Sequence, residues 1–352
     1  MPPDLVILRG SERLRWGGDL RRRYLFEALE ERLRTTVVAG FGRPEVRAAL
    51  APYRRRRWEV WRRGPVVVST ELLDTGMLDL VRRVGTPLAV DIHDEPVLQA
   101  EALGVGMPPQ RVAELRERMA ANSATFRRTI VPSESFRRLA GIDAGRAIIA
   151  PNGTDTEVVR PVAPPSEPAV AFISGAAPAR GIESLIEAVR LARDDVRGTR
   201  LLLFLTATGD ESARYLEALI AAHQGDPWLE IGALAYPEVG AGLGRATVLC
   251  IPTPSHPYWD SVPPLKLLDG MAAGRPTVVT PRTEMRAVVE RADAGLVAAG
   301  DAPADIAASL VELLRDPDRA RRMGENARRA AETTYDWRVI SRQLARDLLA
   351  TG

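Results

Sequence analysis

Lysine is all but missing from this sequence: 47 of its 48 basic residues are arginine, and the exception is Lys266. Arginine's broad planar head cannot imitate a compact ammonium on a slim stem. A lone lysine in such a background is a candidate for a specific task, although a single residue is also what chance leaves behind. Cysteine is as scarce. Cys250 alone excludes an internal disulfide and fits a reducing compartment. His223 and His256 share no metal-ligand spacing with each other, with Cys250 or with the acids, so no metal site is expected. No apolar run approaches a membrane span, and the opening MPPDLVILRGSER lacks the basic-then-apolar layout of a signal peptide. A cytoplasmic location is therefore expected. The Gly-x-Gly-x-x-Gly fingerprint is absent after DLVILRG, which counts against a dehydrogenase.

What is present fits two domains of ordinary size in 352 residues. The net charge is +2, unevenly spread: residues 1–160 carry 27 Arg against 21 acids, residues 161–352 carry 21 basic residues against 25 acids. A basic first half suits an anionic acceptor or membrane surface, though an arginine-rich composition accounts for most of the bias. Within it, RRRRWEVWRRG (54–64) interleaves Arg with Trp58 and Trp61. It is a candidate for peripheral contact with an anionic membrane, against the plainer reading of a solvated helix with inward tryptophans. Nucleic-acid binding is not expected, because the charge excess is small and no recognised motif is present.

Short β-branched runs alternate with helix-like stretches through both halves. DLVIL, TTVVAG, PVVVST, PLAVDI, RTIVPS and AIIAPN come first; AVAFIS, RLLLFLT, LEIGAL, ATVLCIP, PTVVT and GLVAA repeat the rhythm. Fully apolar strands joined by amphipathic helices predict parallel sheets covered on both faces, hence an α/β fold of two doubly wound, Rossmann-like domains. Residues 151–168, PNGTDTEVVRPVAPPSEP, read as the linker. The expected division is 1–158, 159–335 and a closing helix, 336–352. Ligands of such sheets bind beyond the carboxyl ends of the strands, and two domains joined by one linker imply a cleft there.

The most informative segment is DSVPPLKLLDGMAAGRPTVVT, 260–280. Pro263 and Pro264 suit a helix start, leaving the N–H groups of Leu265 and Lys266 at its positive end, where phosphate is attracted. Lys266 adds a full charge. Asp269, three residues on, shares a face with it and offers a carboxylate to a ribose diol. A second helix start lies in VAFISGAAPARGIESLIE, 170–187. Gly175 lets backbone approach a ligand, and Arg180 is placed for a second contact to the diphosphate. Alone, that stretch reads as an ordinary tight turn with a solvated arginine; beside Lys266 the phosphate reading is the stronger. In the first half, His93 in PLAVDIHDEP stands at a strand end, a partner for a sugar hydroxyl or simply a polar loop residue held by Asp91 and Asp94. Gly17 and Gly18, after Trp16, would let donor or acceptor approach the backbone. Tyr236 lies in a loop that could contact the base.

These residues resemble glycosyltransferase family four, the retaining GT-B enzymes, over nearly the whole chain. IIAPNGTDTEVVRP is similar to the family's "PNGVDTxxFxP". FISGAAPARGIESLIEA resembles its "GRLxxxKG" phosphate loop. VPPLKLLDGMAAGRPTVVT resembles its "EGFPLxLLEAMAxGxPVV", or the subgroup with "SPLKLFEYxAxGKPVV". The closing YDWRVISRQL is similar to the family's terminal "FSW" helix. By this resemblance Arg180 takes the place of the phosphate-loop lysine, Asp269 that of the ribose-holding glutamate, and His93 that of a histidine reaching the donor sugar. Ala176 stands where many members have a phosphate-binding arginine, and Ser261 where a glutamate contacts the donor sugar. The resemblance implies sugar transfer from a UDP- or GDP-type nucleotide sugar, with retention and no obligatory metal or other cofactor. The acceptor would be a glycan, a lipid or a small molecule. Two rivals remain at this level, a nucleotide-sugar epimerase and a non-catalytic sugar-nucleotide-binding protein of the same architecture.

Overall fold

The computed structural model describes residues 4–9, 17–39, 43–55 and 65–350. It divides into two compact units, Met1–Ala100 with Gly106–Pro151 and Trp337–Gly352, and Glu101–Val105 with Asn152–Asp336. Trp16 and residues 56–64, including Trp58 and Trp61, lie outside the described residues.

The first unit holds six parallel strands: β1 Asp4–Arg9, β2 Arg34–Ala39, β3 Val66–Ser69, β4 Thr86–Asp91, β5 Arg128–Val131 and β6 Ala147–Ile149. Their order is β2-β1-β3-β4-β5-β6. Leu5–Leu8, Val67, Val68, Ala89, Val90, Ile130 and Val131 are all buried. Strands covered on both faces cannot alternate apolar with polar, and these do not. The closing helix Trp337–Ala350 belongs to this unit; it buries Trp337, Ile340, Leu344 and Leu348, and Ser341 Oγ accepts from the Ala28 N–H at 2.8 Å.

The second unit repeats the plan with β7 Ala169–Gly175, β8 Arg200–Thr206, β9 Leu229–Gly232, β10 Val248–Ile251, β11 Thr277–Val279 and β12 Gly295–Val297. The order is β12-β11-β10-β7-β8-β9, again parallel throughout. The sequence reverses direction between β7 and β10, so the switch point of this sheet lies between those two strands. The crevice beyond their carboxyl ends is where such sheets take ligands. Both sheets are the doubly wound α/β arrangement expected from the strand rhythm.

Residues 152–156 sit with the second unit, seven residues before the break expected at 158. Hydrogen bonds explain the placement. The Thr154 N–H donates to the Tyr335 carbonyl at 2.9 Å, and Thr156 Oγ1 donates to Asp336 at 2.6 Å. Asn152 Nδ2 donates to the Pro263 carbonyl at 3.1 Å. A proline-rich tract reads as a linker, but its first part is fastened to the unit that follows.

Candidate donor-nucleotide site

The site grows from the β7–β10 switch point. Strand β7 ends in Ser174 and Gly175, and β10 leads through Pro252 into the helices Pro257–Ser261 and Leu265–Ala272. Pro264 caps the second helix in extended conformation. A proline can stand at such a start because no backbone N–H is needed there. Lys266 then falls in the first turn, where backbone amides are unpaired and the helix dipole is positive.

Lys266 turns back onto β7. Its Nζ donates to Ser174 Oγ at 2.8 Å and lies 4.6 Å from the centroid of the Phe172 ring. Burial, and then the charge of Arg180 close by, depress the Lys266 ammonium well below its ordinary range. Among the described residues no carboxylate pairs with Lys266. Arg180 ends the 3-10 turn Pro178–Arg180 after β7, and its guanidinium stacks 4.5 Å from the Trp259 ring. The structure thus brings Arg180, from a 3-10 turn, and Lys266, from the first turn of a helix, into one electrostatic neighbourhood. Two mutually repelling cations beside a helix start form an arrangement that an anion would relieve.

Gly175 was the glycine singled out in the phosphate loop, but the steric demand falls elsewhere. A side chain at Gly175 would meet nothing nearer than the Thr206 carbonyl at 3.9 Å. Gly181 has φ +76°, and a Cβ there would stand 2.0 Å from the Pro252 carbonyl oxygen. Gly181 therefore lets the turn carrying Arg180 close against the residue that follows β10.

Asp269 lies on the same helix as Lys266 but has different partners. Its Oδ1 accepts from Thr154 Oγ1 at 2.8 Å. Burial pushes its carboxyl up to about 7, with the Asp155 charge adding to the rise and the Thr154 hydrogen bond opposing it. Leu265 and Pro264 are half-buried around the helix start. Ser261 is buried, and its Oγ donates to the Tyr258 carbonyl at 2.7 Å. Ala176 is buried as well, and the Ser212 hydroxyl donates to its carbonyl at 2.7 Å. Tyr236 sits on a 3-10 turn, Tyr236–Glu238, packed against the hydrophobic core.

The first unit contains its own polar cluster. Asp91, last residue of β4, receives Arg21 at 2.7 Å, and both side chains have zero exposure. His93 Nδ1 lies 2.7 Å from the other Asp91 oxygen. Arg21 Nη1 also donates to the carbonyls of Ala150 and Pro151, at 2.9 and 3.0 Å. Burial would raise the Asp91 carboxyl, but the charge of Arg21 and its hydrogen bonds, with those of His93, hold it well below the usual range. The imidazole is thereby fixed by a charged neighbour. Gly17 and Gly18 are the first residues of the helix Gly17–Tyr24 that carries Arg21. A cavity of about 550 Å³ lies elsewhere in this unit, lined by Glu95, Arg116, Met119, Ser123 and Arg146 among others; none of the predicted site residues lines it.

Three residues escaped the sequence reading: Trp259, Thr154 and Arg21. Trp259 lies eight residues past the end of β10 and two after Pro257, which is a weak signal. Arg21 is one of three consecutive arginines, and nothing local distinguishes it from Arg22 or Arg23. His256, a possible ligand by type, serves as a helix cap: its Nδ1 accepts from the Tyr258 N–H at 3.1 Å. Among the described residues no cluster of His, Cys, Asp or Glu could hold a metal ion. No described helix is long and apolar enough to cross a membrane.

Residues 167–316 match the family model "Glycosyl transferases group 1". The chain is 27% identical over 331 residues to the MMP alpha-(1->4)-mannosyltransferase of Mycolicibacterium hassiacum, covering 89% of this chain and 76% of that protein. It is 29% identical over 266 residues to the D-inositol 3-phosphate glycosyltransferase of Nocardia farcinica, covering 68% of this chain and 56% of the other. Among solved structures, sucrose-phosphate synthase from Thermosynechococcus elongatus superposes with a TM-score of 0.70 at 18% identity over 100% of both chains. Anabaena Alr3699/HepE in complex with UDP-glucose superposes at 0.69 and 16% identity, over 99% of both chains. The chain is accordingly a homologue of glycosyltransferases, built on the GT-B fold.

Proposed function

We propose that the protein transfers a sugar from a nucleoside-diphosphate sugar to an acceptor, with retention at the anomeric carbon and without an obligatory metal. The observation that carries this reading is the pair Arg180 and Lys266, two cations gathered at the switch point beside a helix start. Loss of the sugar leaves negative charge on the diphosphate. Cations and helix-end amides stabilise that charge more in the transition state than before it. Asp269, one turn further along the helix, is assigned to the ribose, and His93, held by Asp91, to a sugar hydroxyl. Pro264, Leu265 and Ser261 are assigned to the donor, with Gly175 beside the phosphates and Tyr236 near the base; Gly17 and Gly18 would let a ligand approach the backbone of the first unit.

The HepE neighbour binds UDP and UDP-glucose, which supports a UDP-type donor, with GDP as the alternative. The donor motif VPPLKLLDG supports assignment to the subgroup with "SPLK". The mannosyltransferase and inositol-phosphate glycosyltransferase relatives support a small-molecule or glycan acceptor. Contact of residues 54–64 with anionic lipid belongs to the same reading, and flotation with anionic vesicles tests it: salt-sensitive binding supports it, none removes it.

A second reading, a donor-binding protein without transferase activity, draws on Ser261, whose hydroxyl is engaged by the Tyr258 carbonyl. A thermal-shift screen of UDP- and GDP-sugars, followed by product analysis with an acceptor panel, separates the possibilities. Stabilisation and an α-linked product from an α-linked donor, undiminished by EDTA, support retaining transfer. Stabilisation with no turnover favours the binder, conversion of donor alone favours an epimerase, and no stabilisation by any nucleotide sugar overturns the donor site.

A further inference from the structure

Thr154 is wholly buried, and its hydroxyl donates to Asp269 Oδ1 at 2.8 Å. Its backbone N–H is held separately by the Tyr335 carbonyl at 2.9 Å, which anchors the residue whatever its side chain does. Asp269 is 8% exposed, and among the described residues its Oδ2 accepts no hydrogen bond. One oxygen of a buried carboxylate is tethered, and the other is left without a protein donor. Oδ2 is not among the wholly enclosed polar atoms that lack a partner, so it is the oxygen open to a ligand hydroxyl. The two positions also depart together from the motifs the sequence resembles: threonine stands where "PNGVDT" has valine, and aspartate where "LLEAMA" has glutamate. The structure sets both departures in hydrogen-bond contact.

We infer that Thr154 is a positioning residue for the ribose contact: its hydroxyl orients the Asp269 carboxylate so that Oδ2 faces the vicinal diol of the bound nucleotide. The inference rests on the assignment of Asp269 to ribose. An aspartate side chain has one rotatable bond fewer than glutamate and reaches less far. Pinning one oxygen limits the directions open to the other, so that it is pre-set to accept from a ribose hydroxyl. Burial and Asp155 both disfavour the charged carboxylate, and the Thr154 hydroxyl is the one contact that favours it.

The test is a cycle of deletions on protein and ligand. Binding of UDP or GDP, whichever the wild type holds more tightly, is measured by calorimetry beside its 2′-deoxy and 3′-deoxy forms. The variants are Thr154→Val, which keeps shape and removes the donor, Thr154→Ser, which keeps the donor, and Thr154→Val/Asp269→Glu. The wild type should lose roughly tenfold or more in affinity on removal of a ribose hydroxyl. Thr154→Val should bind the ribonucleotide as weakly as the wild type binds the deoxy form and should discriminate little between them. Thr154→Ser should retain discrimination, and the double variant should recover it through the longer carboxylate. If the wild type itself does not discriminate, the ribose assignment fails. If the wild type discriminates and Thr154→Val does so equally, the assignment stands and the role of Thr154 is overturned. Should Thr154→Val fold poorly, Thr154→Ala takes its place: full discrimination in Ala, or loss of discrimination in Ser, overturns the inference.

Discussion

Replacing Lys266 by Met should cut turnover while leaving the free protein as stable as before, or more so. The structure gives both sides of the balance. In favour of the ammonium stand a cation–π contact at 4.6 Å to Phe172, worth about 0.5–2 kcal/mol, and a hydrogen bond at 2.8 Å to Ser174, worth roughly 1.5–3 kcal/mol for a charged donor. Against it stands removal of a charge from water, which costs several kcal/mol, together with repulsion from Arg180. The depressed ammonium shows that the opposing side wins in the free protein. A lysine whose folded pKa lies below its ordinary 10.5 leaves the folded state with fewer bound protons than the unfolded one. Wild-type stability therefore climbs as pH rises through the window between the depressed value and 10.5, and methionine removes that dependence. Urea unfolding at neutral and alkaline pH reads this directly. Turnover should fall by about 10²–10³, the usual loss when one electrostatic contact to a developing anion is removed. A variant that is markedly less stable at neutral pH, with turnover unchanged, would show that Lys266 is a structural cation and refute the reasoning.

Asp269 should make both stability and nucleotide binding depend on pH. Its carboxyl is raised from 3.8 to about 7, so the stability it contributes is full below about pH 4 and is lost as pH rises through about 7. On the order of 4 kcal/mol is lost across that window; Asp269→Asn should abolish the dependence in unfolding titrations. Nucleotide affinity should move the other way, weakening up to about tenfold per pH unit below about 7, because the ribose contact uses the carboxylate. Arg21→Met leaves Asp91 charged and buried, and should cost about 3–5 kcal/mol in chemical denaturation; a loss below 1 kcal/mol would mean the pair is not isolated from water. Gly181→Ala should destabilise strongly, since φ +76° and a Cβ at 2.0 Å from the Pro252 carbonyl both oppose it. Gly175→Ala should fold normally, its nearest contact being at 3.9 Å, so any effect would appear only with nucleotide present.

The architecture was legible because both sheets are buried on two faces. Runs such as RLLLFLT, in which Leu201–Leu205 are all buried, admit little else than a central parallel strand. The helix start at Leu265 was legible for a different reason: Lys266 is unique in an arginine-rich chain and follows two prolines, so one residue marked both the charge and the helix start. What stayed hidden was set by tertiary neighbours. Trp259 meets Arg180 across 79 positions, and Thr154 meets Asp269 across 115. No local periodicity encodes such pairings. The phosphate loop shows the limit within a single turn. The sequence points to Gly175, while the constraint sits on Gly181 because of where the Pro252 carbonyl lies in space.

The most direct test is calorimetry of a nucleoside diphosphate and its parent nucleoside against the wild type, Arg180→Gln, Lys266→Met and the double variant. If the two cations share one diphosphate, the wild type binds the diphosphate far more tightly than the nucleoside. Each single variant then loses most of that difference, and the double variant loses little more than either, as expected for residues coupled through one shared partner. Equal affinity of the wild type for nucleoside and diphosphate, or variants that bind both as the wild type does, would contradict a phosphate site at Arg180 and Lys266.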